Sequence, residues 1–278
     1  SNANSDYAKE YGVHQGKYYV PQRAAAGLDP WVTPQAYDNA KDFFDTGITW
    51  SNSLNVAQML DKSSYSISLG NTHQDGIISS TGMDRYNVKV SADTKLTNNW
   101  SSGFTANYIT TSIDKAVTSG NGLLRTVYAA PPSYDLAGIP SHVDGNLYAQ
   151  NSFRGSFDNA YWAMENNKFT EDTNRFFGNV YASYQTDFGT TNHKLNAKYM
   201  VGVDAYTTHY VDSYGYGSNT GGGRGQIENY GWTNATYNSL LTINYDWHIN
   251  EDWGLNAVVG NEIIQSNRKK YYEYGTNY

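Results

Sequence analysis

The residue types that most often carry catalysis are present, but never in a catalytic pattern. Six histidines, His14, His73, His142, His193, His209 and His248, are scattered, and no two fall at the four-residue helical spacing with which a zinc protease holds its metal. The acidic doublets Glu171-Asp172 and Glu251-Asp252 offer paired carboxylates of the kind used in glycoside hydrolysis. Both read as parts of connections, where charged groups are solvated. The run from Gly215 to Gly225 lacks the Gly-Lys-Ser/Thr ending of a phosphate loop and reads as a loop tip. No Gly-x-Ser-x-Gly nucleophile elbow occurs, and the absence of Cys removes thiolate ligands, thiol nucleophiles and disulfides. The expectation is a non-enzyme without metal or cofactor.

What the connections do carry is aromatic side chains. One stretch holds Tyr128, Tyr134, Tyr148, Tyr161 and Trp162, another Tyr214, Tyr216, Tyr230 and Trp232. Aromatic faces pack against the apolar faces of sugars while Asn, Asp and Arg bond the hydroxyls. Tyr134, Tyr148, Tyr161, Trp162, Tyr214, Tyr216 and Trp232 are therefore the candidate contacts for a glycan or other nutrient ligand. The competing reading is that these rings pack on one another and hold large loops in shape.

The elements that must position these rings are strands. Alternation with a period of two dominates. Tyr65, Ile67 and Leu69 share one face against Ser64, Ser66 and Ser68, and Tyr86, Val88, Val90 and Ala92 oppose Asn87, Lys89, Ser91 and Asp93. Trp100, Phe104, Ala106 and Tyr108 follow, then Phe176, Val180, Ala182 and Tyr184. Leu195, Ala197, Tyr199, Val201, Val203 and Ala205 alternate over more than ten residues, and the last pair is Leu241, Ile243, Tyr245 and Trp247 with Leu255, Ala257, Val259 and Ile263. Globular strands average ~5–6 residues, whereas a tilted membrane strand needs ~9–11. With a weaker strand near Ile48 to Val56, about eight strands are expected. The fold class is all-β, an antiparallel up-and-down meander forming part, or a small version, of an outer-membrane barrel.

The connections alternate in length. Met59 to Ser63, Thr97 to Asn99, Phe188 to Asn192 and Ile249 to Asp252 read as tight turns, while Asp75 to Asp84, about Ile113 to Thr173 and about Val211 to Ala235 read as long loops. Short turns on one rim and long loops on the other are the asymmetry of an outer-membrane barrel. Trp50, Trp100, Trp247 and Trp253 sit near short turns or strand starts, as an interfacial girdle requires. A mean hydropathy of −0.66 does not oppose this, because barrel strands are apolar on one face only. The net charge of −7 with scattered basic residues excludes a nucleic-acid footprint. Ser1 to Ala3 reads as a tag remnant. Residues 4–46 read as a loop segment with short helices at Asp6 to Glu10 and Pro34 to Phe44, Thr33 capping the second, and 47–278 as the barrel segment.

An ordered run of motifs resembles the SusC/RagA family of TonB-dependent outer-membrane transporters. It comprises Lys41-Asp42-Phe43-Phe44-Asp45-Thr46-Gly47, Ser53-Leu54-Asn55-Val56-Ala57, Tyr65 to Gly70, Gln74-Asp75-Gly76-Ile77, Arg85-Tyr86, Leu96-Thr97 and Trp100. Looser similarity continues through Tyr128 to Pro132, Tyr134-Asp135, Gly138 and Gly254 to Glu262. The chain departs from the family at Asn159-Ala160, where Asn-Pro is usual, and at Met59-Leu60, where Gly-Gly often precedes the second strand. The resemblance implies a portion of an importer of oligosaccharides or other large nutrients, in the outer membrane of a Gram-negative, Bacteroidetes-like bacterium. It also implies a SusD-like lipoprotein and TonB as partners, outer-membrane lipid around the barrel, and no activity in the segment alone. A stand-alone β-sheet protein binding glycans at a cell surface is the alternative. Eight strands alone would expose two edges and a greasy face, so closure into a small barrel or inward packing of that face is expected.

Overall fold

A computed structural model describes residues 16–117, 122–190 and 192–277. The expected tag remnant at 1–3 and helix at Asp6 to Glu10 lie outside them. Before the main sheet come a two-residue strand pair, β1 (Tyr18–Tyr19) with β2 (Trp31–Val32), and two short helices, α1 (Pro21–Ala25) and α2 (Asn39–Phe43). The second helix starts later than expected. Asp38 rather than Thr33 caps it, its carboxylate accepting the Lys41 amide, because an Asp side chain satisfies an orphan amide of the first turn.

Eight long strands follow: β3 (Ile48–Met59), β4 (Ser63–Asp75), β5 (Gly82–Lys95), β6 (Trp100–Lys115), β9 (Lys168–Thr186), β10 (His193–Tyr216), β11 (Arg224–His248) and β12 (Gly254–Thr276). The link between β6 and β9 holds α3 (Leu123–Ala129), the small hairpin β7 (His142–Val143) with β8 (Asn146–Gln150), and α4 (Ala160–Asn166). Each long strand pairs antiparallel with its sequence neighbours in the sheet, the expected meander. The four short turns stand where alternation ceases. The third long loop does not: β10 runs to Tyr216 and β11 begins at Arg224, leaving 217–223 as the tip. The period-two pattern continues through Tyr210, Asp212, Tyr214 and Tyr216, polar enough to read as a loop yet paired residue by residue with β11. Glu171-Asp172 likewise lies on β9 rather than in a connection.

The register places the apolar set on one face. One row of paired residues runs Leu54, Leu69, Val88, Tyr108, Phe176, Ala205, Ala235, and another runs Tyr65, Ala92, Phe104, Val180, Val201, Ser239, Ile263. The opposite face carries polar ladders, among them Ser66 with Ser91 at 2.8 Å, Tyr181 donating to Asp93 at 2.6 Å, and the Arg175 guanidinium on both Asp204 oxygens at 2.8 and 2.6 Å.

The strands are also staggered. The row through Ser63, Thr94, Ser102, Ala182, Tyr199, Leu241 and Asn261 begins at the first residue of β4 but reaches β12 seven residues beyond its start at Gly254. Six strand spacings of ~4.8 Å against seven residues of ~3.3 Å give a tilt of about 40°, within the ~35–45° of membrane barrels.

The sheet is open: β3 and β12 form its two edges, and the apolar face packs against nothing. Neither closure into a small barrel nor inward packing, the two solutions expected for eight strands, is adopted. Every buried hydrophobic side chain among the described residues lies in the segments around α1 to α4, including Val20, Phe43, Leu123, Val127, Leu136, Ile139 and Trp162. Greasy residues on the sheet such as Val180, Tyr199, Leu241 and Ile263 are exposed. The stagger of a tilted wall and an unpartnered apolar face thus occur together on this sheet.

Candidate functional site

The long-loop end of the sheet carries a block built from residues 17–45, 116–117 and 122–167. Its folding follows from polar anchors as much as from grease. Asn159 caps α4, accepting the Tyr161 and Trp162 amides at 3.0 and 3.2 Å while its amide donates to the Asn151 carbonyl at 2.9 Å. Asn151 in turn donates to the carbonyls of Gln22 and Pro140, tying the N-terminal segment to the link. The Asn39 side chain does the same, accepting the Leu136 amide and donating to Pro131. Asp158 is the centre of the network. Its buried carboxylate accepts Gln150 Nε2 at 2.7 Å, Ser218 Oγ at 2.6 Å, the Asn219 amide at 2.8 Å and Asn219 Nδ2 at 2.7 Å, clasping the β10–β11 tip to the block.

The candidate contacts separate within this frame. Trp162 is fully buried and Tyr134 is 8% exposed, both in the block's core, where they fill space. Among the seven candidate rings these two are the buried ones. Burial pushes the Tyr134 phenol well above its ordinary value, Asp135 adding to the effect, and its hydroxyl has no bonding partner. Tyr161 is half-buried, edge-on to Phe43 at 5.4 Å, with its hydroxyl donating to the Asp42 carbonyl. Its phenol is raised by burial first and by Asp42, Asp135 and Asp45 after it. Tyr148 on β8 and Tyr216 at the end of β10 meet edge-on at 5.8 Å, 64% and 56% exposed, and form the accessible pair. Tyr214 packs against Phe169, and Trp232 lies on the polar face of β11 with the Arg268 guanidinium 4.9 Å over its ring. The seven do not converge on one site.

Beside the block a cavity of about 410 Å³ is lined by Ser79 to Thr81, Lys115, Leu123, Met164 and Phe169. Next to it, on the polar face, Tyr210, Tyr230 and Tyr272 form one row across β10, β11 and β12, the first two stacked at 4.9 Å and 7°.

Four tryptophans were expected on one rim. Trp100, Trp247 and Trp253 stand by the short turns, but Trp50 lies on the opposite rim, paired with His73 near the end of β4. The aromatic margins are clearest as pairs on the apolar face. Trp100 and Tyr108, Phe176 and Tyr184, and Tyr237 and Tyr245 are each eight residues apart on their strands. Eight residues tilted by about 40° span about 20 Å, a little less than the ~25 Å apolar band of membrane barrels.

The chain superposes on the RagAB peptide importer in its "closed-closed" state with a TM-score of 0.69 at 16% sequence identity, covering 99% of this chain and 30% of that one. The fold is that of a RagAB segment. The "open-open" state gives 0.70 at 14% identity, covering 99% and 29%, and a structure of the RagAB peptide transporter gives 0.69 at 16%, covering 88% and 27%. The chain thus spans less than a third of the length of those proteins. The SusC/RagA resemblance read from the residues is borne out in the fold. No protein-family model matches the chain, and no curated protein does.

Within this RagAB-like frame the departure at Asn159-Ala160 has a plain explanation. Ala160 is the first residue of α4, the position where Pro is favoured because its missing amide proton would be unpaired anyway. Asn-Ala keeps the cap and forgoes the proline. The buried Asp158 and the tyrosine row were missed by sequence reading. Asp158 carries no local signal, since its partners lie eight residues away and beyond position 217. The tyrosines carried one: Tyr210, Asp212 and Tyr214 alternate as a strand does.

Proposed function

We propose that the chain is wall and loop block of an outer-membrane importer of large nutrients, of the SusC/RagA kind. The observation that carries this reading is the apolar face. It is continuous over eight strands, bounded by aromatic pairs eight residues apart, tilted like a membrane wall, and it contributes nothing to the molecule's core. A stand-alone glycan-binding sheet would have to bury that face, because an exposed apolar patch of this extent is an aggregation hazard in water. On the importer reading the loop block faces the outside, the polar face looks into the lumen, and a SusD-like lipoprotein and TonB serve the complete transporter. The segment itself performs no chemistry. The cargo is an oligosaccharide or a peptide, and Tyr148 and Tyr216 are the loop rings placed to meet it.

Single-tryptophan variants reconstituted with lipids brominated on their acyl chains test the reading. Trp100 and Trp247 should be strongly quenched and Trp162 should not. Equal quenching of all three, or none at Trp100, would overturn it.

A further inference from the structure

On the polar face at the long-loop end, three phenols stand among carboxylates. Tyr230 donates to Asp212 at 3.1 Å, Lys115 lies against both Tyr210 and Glu171, and Tyr272 stands diagonal to Glu228 across the β11–β12 pair. The three rings form one row of the register, and Asp212 pairs directly with Glu228 in the next. Like charges directly opposite each other on neighbouring strands destabilise a sheet. Their donors, the Tyr230 hydroxyl on Asp212 and the Gln226 side-chain amide on Glu228 at 2.9 Å, are neutral, and among the described residues no Lys or Arg forms an ion pair with either carboxylate.

The same patch already seats cations of the chain itself. Lys115 Nζ lies 4.5 Å over the outer face of Tyr210 and 3.4 Å from Glu171, and the Arg268 guanidinium lies 4.9 Å over Trp232. Both use the attraction of a ring face for a positive charge. Tyr272 is 61% exposed beside Glu228, and Asp212 stands beside it across the strand. This repeats the combination that holds Lys115, a ring and a carboxylate, without the ammonium. Lys115 and Phe169 also line the neighbouring cavity, which gives an extended ligand room to lie alongside.

We propose that Tyr272, Tyr230, Asp212 and Glu228 form a recognition site for an organic cation on the cargo, an ammonium or guanidinium group such as a lysine or arginine side chain. The site rests on the importer reading and narrows it towards cationic peptides. A cation placed there takes both carboxylates at once and the face of Tyr272, and removes the repulsion between Asp212 and Glu228.

The test is calorimetric binding of trilysine to the full 278-residue chain in detergent micelles, with fully acetylated trilysine and triglutamate as controls. Trilysine should bind, and the two controls should not. Asp212→Asn with Glu228→Gln should weaken trilysine roughly tenfold or more while leaving the thermal midpoint of the free chain unchanged or higher, since it removes a repulsion. Tyr272→Leu should weaken binding and leave the midpoint unmoved. Equal binding of acetylated trilysine, or undiminished binding by the double variant, would overturn the site. So would a fall in the midpoint of the double variant, which would make these carboxylates structural acceptors. Failure of the lipid-quenching test would sink the importer reading alone and leave a trilysine result standing as a property of the patch.

Discussion

Asp158 shows how much one side chain can hold together. It collects four donors from three residues and joins the loop block to the β10–β11 tip. Asp158→Ala leaves the buried Ser218 hydroxyl without its acceptor, a penalty of about 1–3 kcal/mol, whereas Asn219 is exposed and Gln150 keeps its bond to the Gly217 carbonyl. The loop block should therefore lose about 1–3 kcal/mol in urea unfolding followed by near-ultraviolet circular dichroism. Tyr134 predicts a pH effect with a definite sign. Its phenol is held neutral by burial in the folded chain, while in the unfolded chain it ionises near its ordinary value of about 10. The unfolded state then binds fewer protons, so stability is complete below about pH 10 and falls as pH rises beyond it. Tyr134→Phe should flatten that alkaline loss in pH-dependent melts. At this scale the sequence was only partly legible. Tyr148 and Tyr216 are exposed as a binding role requires, but nothing local told that Trp162 and Tyr134 would be interior, because their burial depends on partners from four distant segments.

Among the elements, the strands were legible and the loop block was not. One-sided alternation specifies both the strand and its face, so Leu195 to Ala205 and Leu241 to Trp247 could be assigned before any contact was known. The reading failed where alternation turned polar, beyond Val211, since a strand that has left the apolar band has no reason to stay greasy. The block's helices are five to seven residues long and carry too few turns to show a period. The tip of the β10–β11 hairpin makes an exacting demand. Gly217 has φ of +102°, and a Cβ there would fall 2.0 Å from the Tyr148 carbonyl oxygen. Gly217→Ala should destabilise by more than about 1 kcal/mol, with loss of the Asp158 clasp visible as faster amide exchange at Ser218 and Asn219.

For the molecule as a whole, the two faces of the sheet predict opposite responses to charge. Val180→Arg on the apolar face should impair membrane insertion by about 2–4 kcal/mol, whereas Asn179→Arg on the polar face should cost little. Folding yield into lipid vesicles, read from heat-modifiable gel mobility, separates the two. The overall architecture was legible because strand face, turn length and loop length all pointed to one rim-to-rim arrangement. How the sheet would handle its edges was not, since a sequence shows which residues are greasy but not what solvent they will meet.

The core of this molecule and its broad greasy surface lie in different places, and that separation has a thermodynamic meaning. The apolar part of the loop block is held by the expulsion of water, a force that weakens on cooling, whereas on the importer reading the wall would answer to the thickness and chemistry of a bilayer. Temperature and lipid composition become independent controls on two halves of one chain. On that reading chilling should loosen the canopy while the wall keeps its register, and a mismatched bilayer should strain the wall while the canopy stays intact.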